Sequence, residues 1–421
     1  MKKSTISLFV LFFLATSFAL AGEISFIGKT DKNPLAYQPG EEIVFTVQCL
    51  EDGKPVDGQK ISWKRTGDDG KTESGEAISD AAHPLTIKTS IEVAGFVRIQ
   101  VFPCDANGDR IGGEHDESHQ FNGGAGVLLD QIKGFPEPED FDAFWDRQKG
   151  ILARVPIKAW LKPLDSPESD VVGYEVLVDN SSLAPVSGYL FMPKNASEKS
   201  LPAEVAFQGY SVASAYSDFT SGKDKIFFIV NCHGILNGQP KEYYDTMSQT
   251  FLKQYGFSPE QNNSPDSCYW CGMMMRALRA VQYVKTLHEW NGTDLTVSGG
   301  SQGGMQCLTV AGLDSDITEV HANVPWFCDV SGAENNGRLD SWFMPSWVEG
   351  LGYFDTTNHA KRIRGKVKIY AGLGDYVCPP SGEIVLYNSI KSPVTLSFRQ
   401  GRTHGYEMKD GELFTLEKNA Q

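Results

Sequence analysis

The chain has 421 residues, more than one hydrophobic core usually absorbs, so at least two folding units are expected. With 41% hydrophobic and 11% aromatic residues it is not a disordered chain. Its 53 acidic against 38 basic residues give a formal net charge of −15, which repels phosphate backbones and argues against nucleic-acid binding.

The amino terminus reads as an export signal. Lys2 and Lys3 precede an apolar run from Ile6 to Leu20, and Ala19-Leu20-Ala21 is a small-x-small cleavage site. Removal of residues 1–21 would leave no stretch long and apolar enough to span a bilayer, which predicts a periplasmic or secreted protein. Eight cysteines suit an oxidising compartment, yet most lie in apolar surroundings and read as buried thiols. Cys268 and Cys271 have redox spacing without a thioredoxin-like context, so coincidence or a local disulfide is expected.

Residues 22–128 are expected to form a small β-sandwich, immunoglobulin-like in character. Ile43, Phe45, Val47 and Cys49 alternate with Val44, Thr46 and Gln48, and Val97, Ile99 and Val101 alternate with Arg98 and Gln100. Turn signals such as Gln38-Pro39-Gly40 and Asp68-Asp69-Gly70 separate such runs. Cys49, Trp63 and Cys104 occur in a loosely immunoglobulin-like order. The alternation that turns Val97, Ile99 and Val101 inward turns Cys104 outward, so no Cys49–Cys104 disulfide is expected. His115 and His119 are four apart, but the flanking glycines predict a solvated loop rather than a metal site. The glycine-rich segment Phe121–Val127 reads as a linker.

Residues 129–421 alternate strands with helices, the signature of a doubly wound α/β fold. Val171–Val178 and Val186–Met192 suggest an antiparallel pair. Ala203–Phe207, Ile226–Val230, Leu295–Ser298, Val367–Tyr370 and Val394–Phe398 are short apolar runs suited to a buried parallel sheet. Ser264-Pro265-Asp266 predicts the start of a helix carrying Met274, Leu278, Val281, Val284 and Leu287 on one face.

Between strand and helix lies Gly299-Gly300-Ser301-Gln302-Gly303, the context of a nucleophile elbow. Ser301 is the expected nucleophile. Asp375 follows the strand Val367–Tyr370, where the acid of a hydrolase belongs. His404 follows Val394–Phe398, taken as the last strand, where the base belongs. Asp355 competes with Asp375 but reads better as a helix N-cap. Backbone N–H groups of Gln302 and Tyr210 are the expected oxyanion donors. The order Ser…Asp…His implies acyl transfer to water through an acyl-enzyme, with no metal or organic cofactor required.

Five collinear segments resemble the acetyl xylan esterase and cephalosporin C deacetylase family, carbohydrate esterase family seven. They are Pro138–Trp145, Gly299–Gly304, Val324–Asp329, Tyr353–Asp355 and Gly372–Pro380. The resemblance runs from about Gly134 to the carboxyl terminus. It implies an α/β-hydrolase that deacetylates small acetylated sugars, with Ser301, Asp375 and His404 as triad and Tyr210 and Gln302 at the oxyanion hole. Two departures stand out: Asn231-Cys232-His233-Gly234 occupies the place of the family's Arg-Gly-Gln, and Gly405 that of the Glu after the histidine. Members of the family are often hexameric, so a homo-oligomer is one expectation. Trp326, Trp342 and Trp347 are candidates to stack on sugar rings, with core or lid packing an equal alternative for each, and Trp326 is the expected substrate contact. The competing expectations are a serine peptidase of prolyl-oligopeptidase type and a carbohydrate-binding protein without turnover. The amino-terminal strands are too short a stretch for a propeller and show no blade repeat.

Overall fold

A computed structural model describes residues 22–112, 117–166, 170–182 and 184–420. The expected signal segment, and His115, lie outside the described residues. No helix among the described residues is long and apolar enough to cross a membrane.

The first 100 or so described residues build two four-stranded antiparallel sheets. One holds Ile24–Thr30, Ile43–Glu51, Lys54–Pro55 and Leu85–Thr89, and the other Lys60–Gly67, Glu73–Ile78, Gly95–Cys104 and Phe121–Val127. Their facing sides supply one core, with Phe26, Phe45 and Val47 from the first sheet and Val97, Ile99 and Val101 from the second. The period of two read from the sequence places these side chains inward.

The segment expected to be a linker is instead a strand. Phe121–Val127 pairs antiparallel with Gly95–Cys104, and all seven of its residues are buried. Its glycines serve close approach rather than flexibility. A Cβ on Gly123 would lie 2.5 Å from the Gln400 amide oxygen, and one on Gly124 would lie 2.8 Å from the Leu373 carbonyl.

A ten-stranded mixed sheet forms the rest. In spatial order it runs Leu413–Lys418, Val394–Arg399, Lys366–Gly372, Glu319–Asn323, Trp290–Gly300, Leu201–Phe207, Ile226–Asn231, Val186–Pro193, Val171–Val178 and Ala159–Pro163. The six strands from Val394–Arg399 to Ile226–Asn231 are parallel, and the remaining pairings are antiparallel. The expected pair Val171–Val178 and Val186–Pro193 is present. The expected sheet buried on both faces is corrected: Ile226–Asn231 is buried throughout, but toward the Val394–Arg399 side the strands alternate, with Val320, Val367, Ile369 and Leu396 buried and His321, Lys366, Lys368 and Thr395 on the other face exposed or half-buried. The chief helices are Phe141–Ala153, Tyr269–Val284, Gln302–Leu313 and Pro380–Ser389.

Two local expectations are corrected. The helix expected from Ser264 begins at Tyr269, because Ser264–Ser267 closes a turn and the Asp266 carboxylate is taken by Arg147 and Gln148. Val394–Arg399 is the last parallel strand but not the last strand, since Leu413–Lys418 returns beside it. Cys104 faces away from Val97, Ile99 and Val101 as expected, in register with Lys60, and is buried on that face with its thiol 3.3 Å from the Ser62 hydroxyl. All eight cysteines are buried free thiols. That of Cys268 donates to Asn262 Oδ1 at 3.1 Å, so it forms no bond to Cys271. Asp355 does cap a helix: its carboxylate accepts the Thr357 N–H.

Candidate active site

The strand Trp290–Gly300 runs into Ser301, and the helix Gln302–Leu313 starts at the next residue. Ser301 has φ 55° and ψ −121°, a conformation that a residue with a Cβ seldom adopts. The surroundings hold it there. Its N–H donates to Asn323 O at 2.9 Å, and its carbonyl accepts from Trp326 N at 3.0 Å and Met305 N at 3.1 Å. The turn closes only because its flanks are small. A Cβ on Gly299 would clash with the Gly303 backbone, and one on Gly303 would clash with the Phe207 carbonyl.

The ends of two later parallel strands bring up the partners. His404 Nε2 lies 3.0 Å from Ser301 Oγ, and His404 Nδ1 lies 2.9 Å from Asp375 Oδ2. The other carboxylate oxygen, Oδ1, accepts the N–H groups of Val377 and Cys378, each at 2.9 Å. Asp375 has no exposed surface. A carboxylate that only accepts requires hydrogen on Nδ1, which leaves Nε2 free to accept the Ser301 proton. Asp375, Cys378 and His404 bring one potential metal-ligand atom each within 4.8 Å. The Nδ1 and Oδ2 atoms are already spent on each other, and the Cys378 thiol donates to Val324 O at 3.2 Å. Burial holds that thiol well above its usual range, so a metal would have to displace both a proton and the serine's base.

Gln302 is the first residue of its helix, so its N–H has no acceptor within the helix and points from the positive end. Its side chain is wholly buried and accepts from the Tyr255 hydroxyl at 3.1 Å. Tyr210 follows the strand Leu201–Phe207 and lines the same cleft as Ser301. Sequence reasoning missed what holds this loop. The Gln208 side-chain amide donates to Ser211 Oγ and to the carbonyls of Ala213 and Ser214. Gln306 reaches from the helix to the Gln208 carbonyl at 3.0 Å. His233 donates from Nε2 to Ser211 O at 2.8 Å and accepts from the Tyr269 hydroxyl at Nδ1, 2.6 Å away. The Ser211 carbonyl can only accept, which fixes this tautomer. Burial pushes the His233 imidazole down to about 3, so it stays neutral. The only signal in the sequence was the departure at Asn231–Gly234.

The cleft before Ser301 has a volume of about 500 Å³. Tyr210, Trp342, Phe343 and Val377 supply its largely apolar walls, and among the described residues its lining holds no Asp, Glu, Lys or Arg. Trp326 does not reach it. That ring is 1% exposed, packs on Trp270, Phe327 and Phe257, and donates from Nε1 to Phe343 O at 2.7 Å. It presents no face to a ligand, so the expected sugar contact is corrected to a core residue supporting Phe343. The tryptophan at the mouth is Trp342, 57% exposed.

The family described as acetyl xylan esterase (AXE1) matches residues 128–338 and 345–413, well over half of the sequence. The chain belongs to the acetyl xylan esterase family. A curated relative, acetyl esterase Axe7A of Xylanibacter ruminicola, is 27% identical over 292 residues. The alignment covers 66% of this chain and 66% of that one, so the chain spans just under two thirds of its relative's length. Two solved acetyl xylan esterases share the α/β-hydrolase fold with a mixed sheet. That of Paenibacillus sp. R4 has a TM-score of 0.54 at 23% identity, covering 66% of this chain and 94% of that one. That of Thermoanaerobacterium sp. JW/SL YS485 has a TM-score of 0.54 at 22% identity, covering 67% and 93%. The family match starts at residue 128, one residue after the last strand of the two smaller sheets, so it leaves both out.

Proposed function

We propose that the protein is an exported serine esterase that removes acetyl groups from acetylated carbohydrates, xylan-derived oligosaccharides among them. The observation that carries this reading is the hydrogen-bonded chain from Ser301 Oγ through His404 to Asp375. Ser301 Oγ attacks the ester carbonyl while His404 Nε2 takes its proton. Asp375 holds the imidazole in the required tautomer and stabilises the imidazolium. The N–H groups of Gln302 and Tyr210 receive the negative charge that forms on the carbonyl oxygen. As the bond from the acyl carbon to the sugar oxygen breaks, His404 gives the proton to that oxygen, and the sugar leaves as its hydroxyl. Water, losing a proton to His404, attacks the acetyl-enzyme; as the acyl carbon–Oγ bond breaks, acetate leaves and His404 returns the proton to Ser301 Oγ.

Family membership and the name of the curated relative support an ester substrate. The apolar walls suit a neutral ester, and the absence of cationic groups among the lining residues disfavours an anionic one. The amino-terminal sequence supports export. The test is acetate release from acetylated xylo-oligosaccharides, run beside a series of aryl esters of increasing acyl length. Release of acetate, with rates falling as the acyl chain lengthens, is expected. Turnover of long-chain esters with no acetate released from any acetylated oligosaccharide would overturn the substrate reading.

A further inference from the structure

The two smaller sheets do not merely precede the hydrolase fold, because they touch both loops that carry the partners of Ser301. The strand Phe121–Val127 is the edge of its sheet. At Gly124 its free backbone groups turn to one side chain. The Gly124 N–H donates to Gln400 Oε1 at 2.9 Å, and Gln400 Nε2 donates to the Gly124 carbonyl at 3.0 Å, both buried. Gln400 follows the strand Val394–Arg399 directly and lies four residues before His404.

The Asp375 loop meets the same strand. Gly374 lies so close to Asn122 that a Cβ there would clash with the Asn122 backbone. On the other side of Asp375, the buried Tyr376 ring is faced by the Arg98 guanidinium at 4.2 Å. Arg98 Nη2 also donates to Asn122 Oδ1 at 3.0 Å. Arg98, Asn122 and Gly124 thus form one surface against which residues 373–376 and Gln400 are seated.

We infer that the amino-terminal β-unit is a working part of the esterase site, with Gln400 as a positioning residue that registers the His404 and Asp375 loops on the strand Phe121–Val127. The inference rests on the role proposed above for Ser301, His404 and Asp375. Loops that extend beyond strand ends are the mobile parts of a fold. A base displaced by 1 Å can cost a reaction about 100-fold. The strand edge gives these loops a second reference, in addition to the bonds that tie them within the ten-stranded unit, Gly374 N–H to Arg402 O and Gln400 N–H to Glu412 O. Replacing Gln400 by an apolar residue would leave a buried N–H and a buried C=O on Gly124 without partners, so the edge and the loop would part.

The test uses the full chain and compares Gln400→Leu with Phe45→Leu, a core change on the strand Ile43–Glu51, in the small sheet that does not contain Phe121–Val127. Reactive serine is counted by stoichiometric labelling with a fluorophosphonate, and kcat on an aryl acetate is expressed per labelled site. Gln400→Leu should lose about 10-fold or more in kcat per labelled site with KM within about 2-fold. Its labelling rate should fall in parallel. Phe45→Leu should lose thermal stability and keep kcat per site. If Gln400→Leu does not fold, Arg98→Met carries the same expectation. Full kcat per site in the interface variant, or equal losses in Phe45→Leu, would overturn the inference. Ser301→Ala separates the two claims: if it keeps activity, the catalytic reading fails first; if it is inert while the interface variant is fully active, only the positioning claim fails.

Discussion

Asp375 gives one carboxylate oxygen to His404 and the other to two backbone N–H groups, those of Val377 and Cys378. Both carboxylate oxygens are therefore held, one by the loop backbone and the other by the imidazole. His404 needs that fixed acceptor on Nδ1, because only then is Nε2 free to take the serine proton.

Asp375→Asn tests this directly. The amide preserves shape but can present N–H to Nδ1, which favours the wrong tautomer. We expect kcat on an aryl acetate to fall by about 10⁴ with KM little changed. A loss of less than about 10-fold would mean that the Asp375 charge is not used.

His233 should act through Ser211 on the loop that bears Tyr210. His233→Ala is expected to lower kcat by about 10-fold with a smaller change in KM, because the loop loses a buried anchor. His233→Gln retains a donor and should recover part of the loss. Equal losses in both variants would contradict a role through the Ser211 bond.

Much of this was legible before any coordinates. Ser301 sits in a motif whose glycines answer to a steric demand, and Asp375 and His404 each follow the carboxyl end of an apolar strand. Such positions follow from the topology of a parallel sheet. What escaped notice depends on contacts between distant parts of the chain. Phe121–Val127 read as a linker because glycines in a strand look flexible until Gln400 and Leu373 are seen against them. Trp326 looked like a sugar platform because an aromatic side chain carries no sign of which way it faces. His233 was visible only as an odd residue, since its partners Ser211 and Tyr269 lie 22 and 36 positions away.

Trp342 is the exposed tryptophan at the cleft. If its indole takes the face of a sugar ring, Trp342→Ala should lower kcat/KM on acetylated xylo-oligosaccharides by about 10-fold, corresponding to about 1.4 kcal/mol. A small aryl acetate should change by less than about 2-fold. Equal losses on both substrates would place the effect on the site as a whole.

A buried histidine outside the site predicts an acid limit. Burial pushes His359 from 6.5 down to about 3. The unfolded chain therefore binds a proton between these values that the folded chain refuses. The resulting stability is present above pH 6.5 and is lost as pH falls toward 3, at up to about 1.4 kcal/mol per pH unit. His359→Gln lacks this slope, so the Tm advantage of the natural chain over the variant should shrink as pH falls through that window. A Tm difference independent of pH between 3 and 6.5 would contradict the assignment.

The central claim is that Ser301 attacks an acetyl ester. Acetate release from acetylated xylo-oligosaccharides by the natural chain, beside Ser301→Ala at matched concentration and folding, tests it most directly. The account predicts turnover in the natural chain and a fall of about four orders of magnitude or more in the variant. Equal acetate release by both would contradict it.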